Sequence, residues 1–534
     1  MLASRLEPPI AALAYAGTVG AAFACWLSIA GCRSVSSNDN APSSRPLEVE
    51  ARAPLAALPQ PIDDAGPKIA NRMEGTGSRS GEEPSRLYVV AGIVDVVDKP
   101  SARAAILGTV RFGGSLELSA PAPVGSDADC AGGWYAVLPR GFVCAGRGTT
   151  KDGFAPAAEV LKEYHLAEHA ALPASYGTAV VTPVYLRLPT WEEQLRSEPG
   201  LEEHLHKRAA LREAQGAARA WGDVSEGRDT DLYPAGSEVP DVLRAGTFAP
   251  LSPKPLVPNS PVMGFLGPGS RVAWVAEFDA IGRTWLITPD LVFVPRDKVK
   301  RGVVSGFHGT EVPAGKGIAF VGRRPAQRYR RDAENHKFVI ERESFAPDTA
   351  VLLAEPESAS DQKFLESTEP GVFVRADEVI VVNPTPPSRF GLNTDGAADA
   401  RWVEFNARTQ VLVLRDGPRI IYATFASSGG DTRRGKFRIS SKHLTLDMRF
   451  ERPRSAGSRA EVPEVMLLSE SPSGIPASAL YAGWWVNAWG SPNAGFGIAV
   501  SPFDARRLFD ASSPALPEGW HSVRADGTWV VVHD

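Results

Sequence analysis

From Arg86 onward, hydrophobic positions fall in short runs that alternate with polar residues and stop at Gly or Pro. A period of two bounded by turn residues is the mark of half-buried strands. Runs at 87–90, 93–97, 104–110, 115–118, 132–137 and 141–144 predict a small barrel over 86–150. Between 190 and 221, Glu, Leu, Arg and Ala recur at helical spacing with mixed charges, which predicts a solvated helix within a connecting region, 151–261. Strand-like runs return over 262–383, at 271–275, 284–287, 291–294, 317–321, 351–353 and 371–374, and predict one or two further β units. Residues 400–534 open with a meander at 402–406, 410–417 and 420–425. The expected fold is mainly β: a small barrel, a β-rich middle with a helical insert, and a C-terminal sandwich.

One apolar stretch, 10–30, interrupts this scheme and ends in Leu27-Ser28-Ile29-Ala30-Gly31-Cys32. A long apolar core followed by small residues reads as an export signal. Its end resembles the lipobox of bacterial lipoproteins, which implies cleavage before Cys32 and a lipid on its thiol. A plain transmembrane anchor, with Cys25 and Cys32 incidental, is the alternative; either places the remainder outside the cytoplasm. Arg33 directly after Cys32 points, by the same resemblance, to the outer membrane. Residues 33–85 are rich in Ser, Pro, Ala, Asn and Gly without an apolar face and are expected to be a disordered tether.

Composition narrows the classes. The chain has 534 residues, 43% hydrophobic and 22% charged, with a net charge of -5. Without a basic field, nucleic acid is not an expected partner. Four Cys exclude a disulfide-dense scaffold, and a single apolar stretch excludes a multi-helix membrane protein.

The strings Gly132-Gly133-Trp134-Tyr135 and Arg140-Gly141-Phe142-Val143 resemble the bacterial SH3-like domains of cell-wall proteins. Cys130 and Cys144 flank this hairpin and are expected as a disulfide in an oxidising compartment. Two free buried thiols, or half a metal site, are the alternatives. His165-Leu166-Ala167-Glu168-His169 matches a zinc-peptidase string on an expected short helix, but no third ligand motif follows. His204 and His206 would point to different sides of a helix. No metal and no cofactor is expected.

The C-terminal strings carry the most information. Trp489-Gly490-Ser491-Pro492 and Ser501-Pro502-Phe503-Asp504-Ala505 bracket the segment Ala494-Gly495-Phe496-Gly497-Ile498-Ala499, and Glu518-Gly519-Trp520-His521 follows. With the preceding strands, residues 400–534 resemble the catalytic domain of YkuD-type L,D-transpeptidases, which implies a YkuD-like sandwich. Active members carry Ser-His-Gly-Cys-Val in this segment and an upstream His-Gly pair. The Cys attacks a peptidoglycan stem peptide, and a His takes its proton. By this register Gly497 stands at the Cys position, Gly495 at the His position and Tyr481 at the upstream His position. Glycine can neither attack nor transfer a proton. His443 and His521 lie nearby in sequence and read as structural. Trp484, Trp485, Trp489 and Phe496 cluster around the segment, either as a ligand groove that stacks on sugars or peptide stems, or as core.

The resemblances together imply a lipid-anchored envelope protein facing the periplasm, with a degenerate transpeptidase-like domain and no expected enzymatic activity. It would bind peptidoglycan or a cell-wall enzyme as a scaffold. A working L,D-transpeptidase with a Cys-independent or rearranged site is the competing reading, and a purely structural domain is a third.

Overall fold

The structure is a computed structural model that describes residues 85–215, 260–392 and 400–534, apart from 91, 147, 155–157, 159–161, 163, 333, 335, 356–362, 431, 453–454 and 471–476. The export signal, Cys32 and the tether lie outside the described residues. The described chain is mostly β with a helical insert, as the alternating runs imply. No helix among the described residues is long and apolar enough to cross a membrane.

The first unit pairs its strands in two small groups. Arg86–Val89 lies between Ser115–Glu117 and Thr149–Thr150. Ile93–Val97 pairs with Ile106–Arg111 and Phe142–Cys144, and the latter pairs with Cys130–Ala136. Inward residues Leu87, Val96, Val110, Leu116 and Val143 share one core. Cys130 and Cys144 are joined by a disulfide next to Trp134.

The connecting region carries more than the helix read from its periodicity. Strands Ser175–Ala179 and Thr182–Tyr185 precede two helices, α1 (Trp191–Ser197) and α2 (Leu201–Gln215). Thr190 and Glu193 form a reciprocal capping box at the start of α1. Thr182–Tyr185 joins strands from 262–295 in a five-stranded sheet. The second middle unit consists of two small sheets, one around Gly317–Val321 and one around Ala326–Arg331.

In the C-terminal part, Arg419–Phe425, Val411–Asp416, Arg401–Asn406, Trp529–His533 and Gly435–Arg452 pair in that order. The ladder continues through Ser455–Ser469, Ser478–Ala482 and Ile498–Val500. Alternation sends its side chains to two cores. Leu412, Leu480 and Ile498 pack with Leu508 and Phe509 of α3 (Pro502–Ala511), while Val413, Tyr481 and Ala499 face the opposite way. That second core includes Ile318 and Phe320 from the middle unit. Burying a Leu, Ile, Val or Phe side chain in these cores contributes about 1.5–3 kcal/mol.

Two further ladders tie the units together. Thr310–Glu311 pairs with Tyr422 and Ala423, and Ile106–Arg111 pairs with Ser522–Arg524 through Gly108 and Thr109.

Candidate functional site

The segment bracketed by the transpeptidase-like strings enters strand Ile498–Val500, which runs parallel to Ser478–Ala482. This pairing sets Tyr481 beside Ala499, so the segment and residues 478–482 meet in space. Tyr481 is fully buried, and its hydroxyl donates to the Phe496 carbonyl oxygen at 2.6 Å. Its ring stacks on Trp485 at 5.8 Å and on Phe496 at 6.5 Å.

Gly497 has φ +51°, in the left-handed region, and a Cβ built there would lie 2.5 Å from the Ala479 carbonyl oxygen. Its own carbonyl accepts from the Gly429 amide and the Thr432 hydroxyl, each at 2.7 Å. A side chain at this position is disfavoured on two grounds, backbone conformation and space. Gly495 also has positive φ, +87°. Around the loop, Ser427 accepts from the Asn493 amide and donates to the Ser491 carbonyl at 2.7 Å. Gln410 reads both the amide and the hydroxyl of Ser428. These groups are engaged with the backbone or with the Gln410 amide, and none of the contacts is a nucleophile–base pair.

The four aromatic residues divide. Trp484 and Trp489 are buried, 2% and 5% exposed. Trp484 packs on Gly302, where a Cβ would lie 2.4 Å from its ring, and Trp489 stacks on Phe307 at 6.3 Å and donates to Ser305 at 3.2 Å. Both are core. Trp485 and Phe496 keep some exposed area, although the Arg271 guanidinium lies 3.8 Å from the Trp485 ring centre.

The polar centre of this region is Asp504, which the sequence placed only as a family-like string member. It is buried at the first turn of α3. Its carboxylate accepts from the Gly309 amide at 2.7 Å, Tyr422 at 2.5 Å and Thr424 at 2.6 Å. Burial raises its pKa, and these hydrogen bonds oppose the rise. Asp504 thus holds the 305–312 segment against the sheet. The signal was unreadable because its partner lies 195 residues away.

The histidines are structural. His443 is buried, hydrogen-bonded to Ser441 at 3.0 Å, and its pKa is lowered to about 4 by burial, then by Arg524. His521 is buried and held well below its usual pKa, first by burial, then by the charges of Arg111 and His443. The His165–His169 string is not the expected helix: residues 164–170 form turns closed by Ala167 N to Pro173 O and Ala170 N to Ala167 O. The tie of Arg506 to the Glu168 carbonyl at 2.5 Å draws this stretch onto α3, which overrides local helix propensity. His204 instead meets Asp297 at 2.9 Å. Among the described residues, no group of three or more His, Cys, Asp or Glu is placed to hold a metal ion.

No family profile matches the chain, and no curated protein does. Among solved structures it is similar to a Cys-to-Ser variant of the Enterococcus faecium L,D-transpeptidase, with 16% identity and TM-score 0.20 over 29% of this chain. The chain spans about half of that protein, 55% of its length. The catalytic domain of an E. faecium L,D-transpeptidase is similar at 16% identity and TM-score 0.19, over 26% of this chain and 99% of that one. An L,D-transpeptidase from Mycobacterium smegmatis is similar at 14% identity and TM-score 0.20, over 44% of this chain and 94% of that one.

Proposed function

We propose that this chain is a cell-envelope protein, lipid-anchored at Cys32 and facing the periplasm, whose transpeptidase-like domain binds peptidoglycan or a cell-wall enzyme without catalysis. The observation that carries this reading is the environment of Gly497. The position that would hold the nucleophile has a left-handed backbone and leaves 2.5 Å between a would-be Cβ and a main-chain oxygen. A rate enhancement of many orders needs a nucleophile and a base. Tyr481 occupies the upstream position with its hydroxyl committed to Phe496. Trp485 and Phe496, which retain exposed area, are the contact residues this reading favours.

Sedimentation of the full chain with purified peptidoglycan sacculi tests it. Co-sedimentation reduced by substitution of Trp485 or Phe496 supports binding through this domain. A covalent carbapenem adduct mapped by mass spectrometry to residues 400–534 would replace it with a rearranged, working transpeptidase.

A further inference from the structure

A concavity separate from the Gly497 segment lies where three turns meet. It is bounded by residues 112–115, by 164–168 and by 518–521, and has a volume of about 230 Å³. That exceeds the roughly 150 Å³ cavity that accepts a benzene ring and falls below the roughly 300 Å³ of the smallest drug-sized sites. The space suits an amino acid or a dipeptide.

Backbone contacts hold its walls before any ligand arrives. The His521 amide donates to Thr109 O at 2.7 Å, and the Leu444 amide donates to His521 O at 2.9 Å. Gly519 has φ +75°, and a Cβ there would lie 2.7 Å from the Ser115 carbonyl oxygen, so glycine allows the two turns to touch. Phe112, Leu166 and Leu444 supply apolar lining.

Charge of both signs faces this space. Arg111 is in the wall, but its guanidinium is spent on Asp290 at 2.5 Å, Glu461 at 3.1 Å and Thr445 at 3.2 Å. Arg86 is different. Its Nε donates to Ser115 at 3.0 Å, and its two terminal nitrogens have no hydrogen-bond partner among the described residues. Glu168 lies along the same wall, its half-buried carboxyl beside the Gly519 turn, and burial raises its pKa. Glu518 adds a second carboxylate at the rim. His521, buried and uncharged, offers hydrogen bonding without altering the balance. The Arg86 guanidinium and two carboxylates, with the His165 imidazole beside them hydrogen-bonded to the Lys162 carbonyl, match a molecule with one anionic and one cationic end in this small, partly desolvated space.

We propose that this cavity binds a small zwitterion, an amino acid or dipeptide with free ends, Arg86 taking the carboxylate and Glu168 the ammonium. The site is independent of the sacculus-binding reading and uses none of its residues.

Calorimetric titration of the full chain in detergent tests the proposal, with L-alanyl-L-alanine and D-alanyl-D-alanine as probes beside their N-acetylated and C-amidated forms. At least one free dipeptide is expected to bind, and capping either end is expected to weaken it tenfold or more. Arg86→Gln is expected to abolish discrimination between free and amidated ligand, and Glu168→Gln discrimination between free and acetylated ligand, with circular dichroism unchanged. Absence of binding by every dipeptide at millimolar concentration, or selectivity that survives both substitutions, overturns the site. Sacculus sedimentation of the same variants reports separately on the proposed function.

Discussion

The hydroxyl of Tyr481 donates to the carbonyl oxygen of Phe496 at 2.6 Å, tying strand Ser478–Ala482 to the loop that enters Ile498–Val500. The contact holds the loop before Ile498–Val500 against the buried strand Ser478–Ala482. Tyr481→Phe removes the donor and leaves that contact unmade, at about 1 kcal/mol. Urea denaturation, comparing midpoints at constant slope, measures the loss.

On the proposed reading, a cysteine introduced at position 497 should not bring transpeptidase chemistry. Gly497→Cys must place a side chain at φ +51°, which costs about 1–2 kcal/mol in backbone strain alone. The close Ala479 carbonyl adds to this. We expect a lower Tm and no carbapenem adduct by mass spectrometry, even when combined with Tyr481→His.

Asp504 accepts from three buried donors outside its own helix, Gly309, Tyr422 and Thr424. Asp504→Ala strands all three and is expected to cost at least about 2 kcal/mol. Asp504→Asn keeps one acceptor oxygen and should recover part of the loss. Thermal unfolding of both variants checks the order.

His443 titrates near 4 in the folded chain, against its ordinary 6.5, because burial and then Arg524 disfavour its charge. The unfolded chain binds this proton more readily, so the stability it contributes is complete above pH 6.5 and is lost as pH falls toward 4. His521 is lowered in the same direction. Urea midpoints should therefore fall across that window, and His443→Gln should flatten the slope.

The Cys130–Cys144 bond closes a loop with a sequence separation of 14. Cross-links of this span stabilise by about 3 kcal/mol in the chain-entropy model. Cys130→Ser, or reduction of the wild type, is expected to lower stability by that order, as guanidinium titration would show.

Much of the β framework was legible because strands buried on one face alternate: Leu87, Val89, Val94 and Val96 face inward as their spacing implies. What stayed hidden depends on residues distant in sequence. Glu168 sits in a turn, not a helix, because Arg506 of α3 claims its carbonyl. The four tryptophan and phenylalanine residues around the segment could not be divided from sequence. Whether each is core depends on partners such as Gly302 for Trp484 and Phe307 for Trp489.

The pairing of Thr310–Glu311 with Arg419–Phe425 means that the last quarter of the chain is not an autonomous module. Phe320 packs against Phe425 at 4.7 Å, so a fragment cut at residue 400 would bare an aromatic face together with an unpaired row of backbone amides. Such a fragment would self-associate, and its inertness in an assay would report on the cut rather than on the protein.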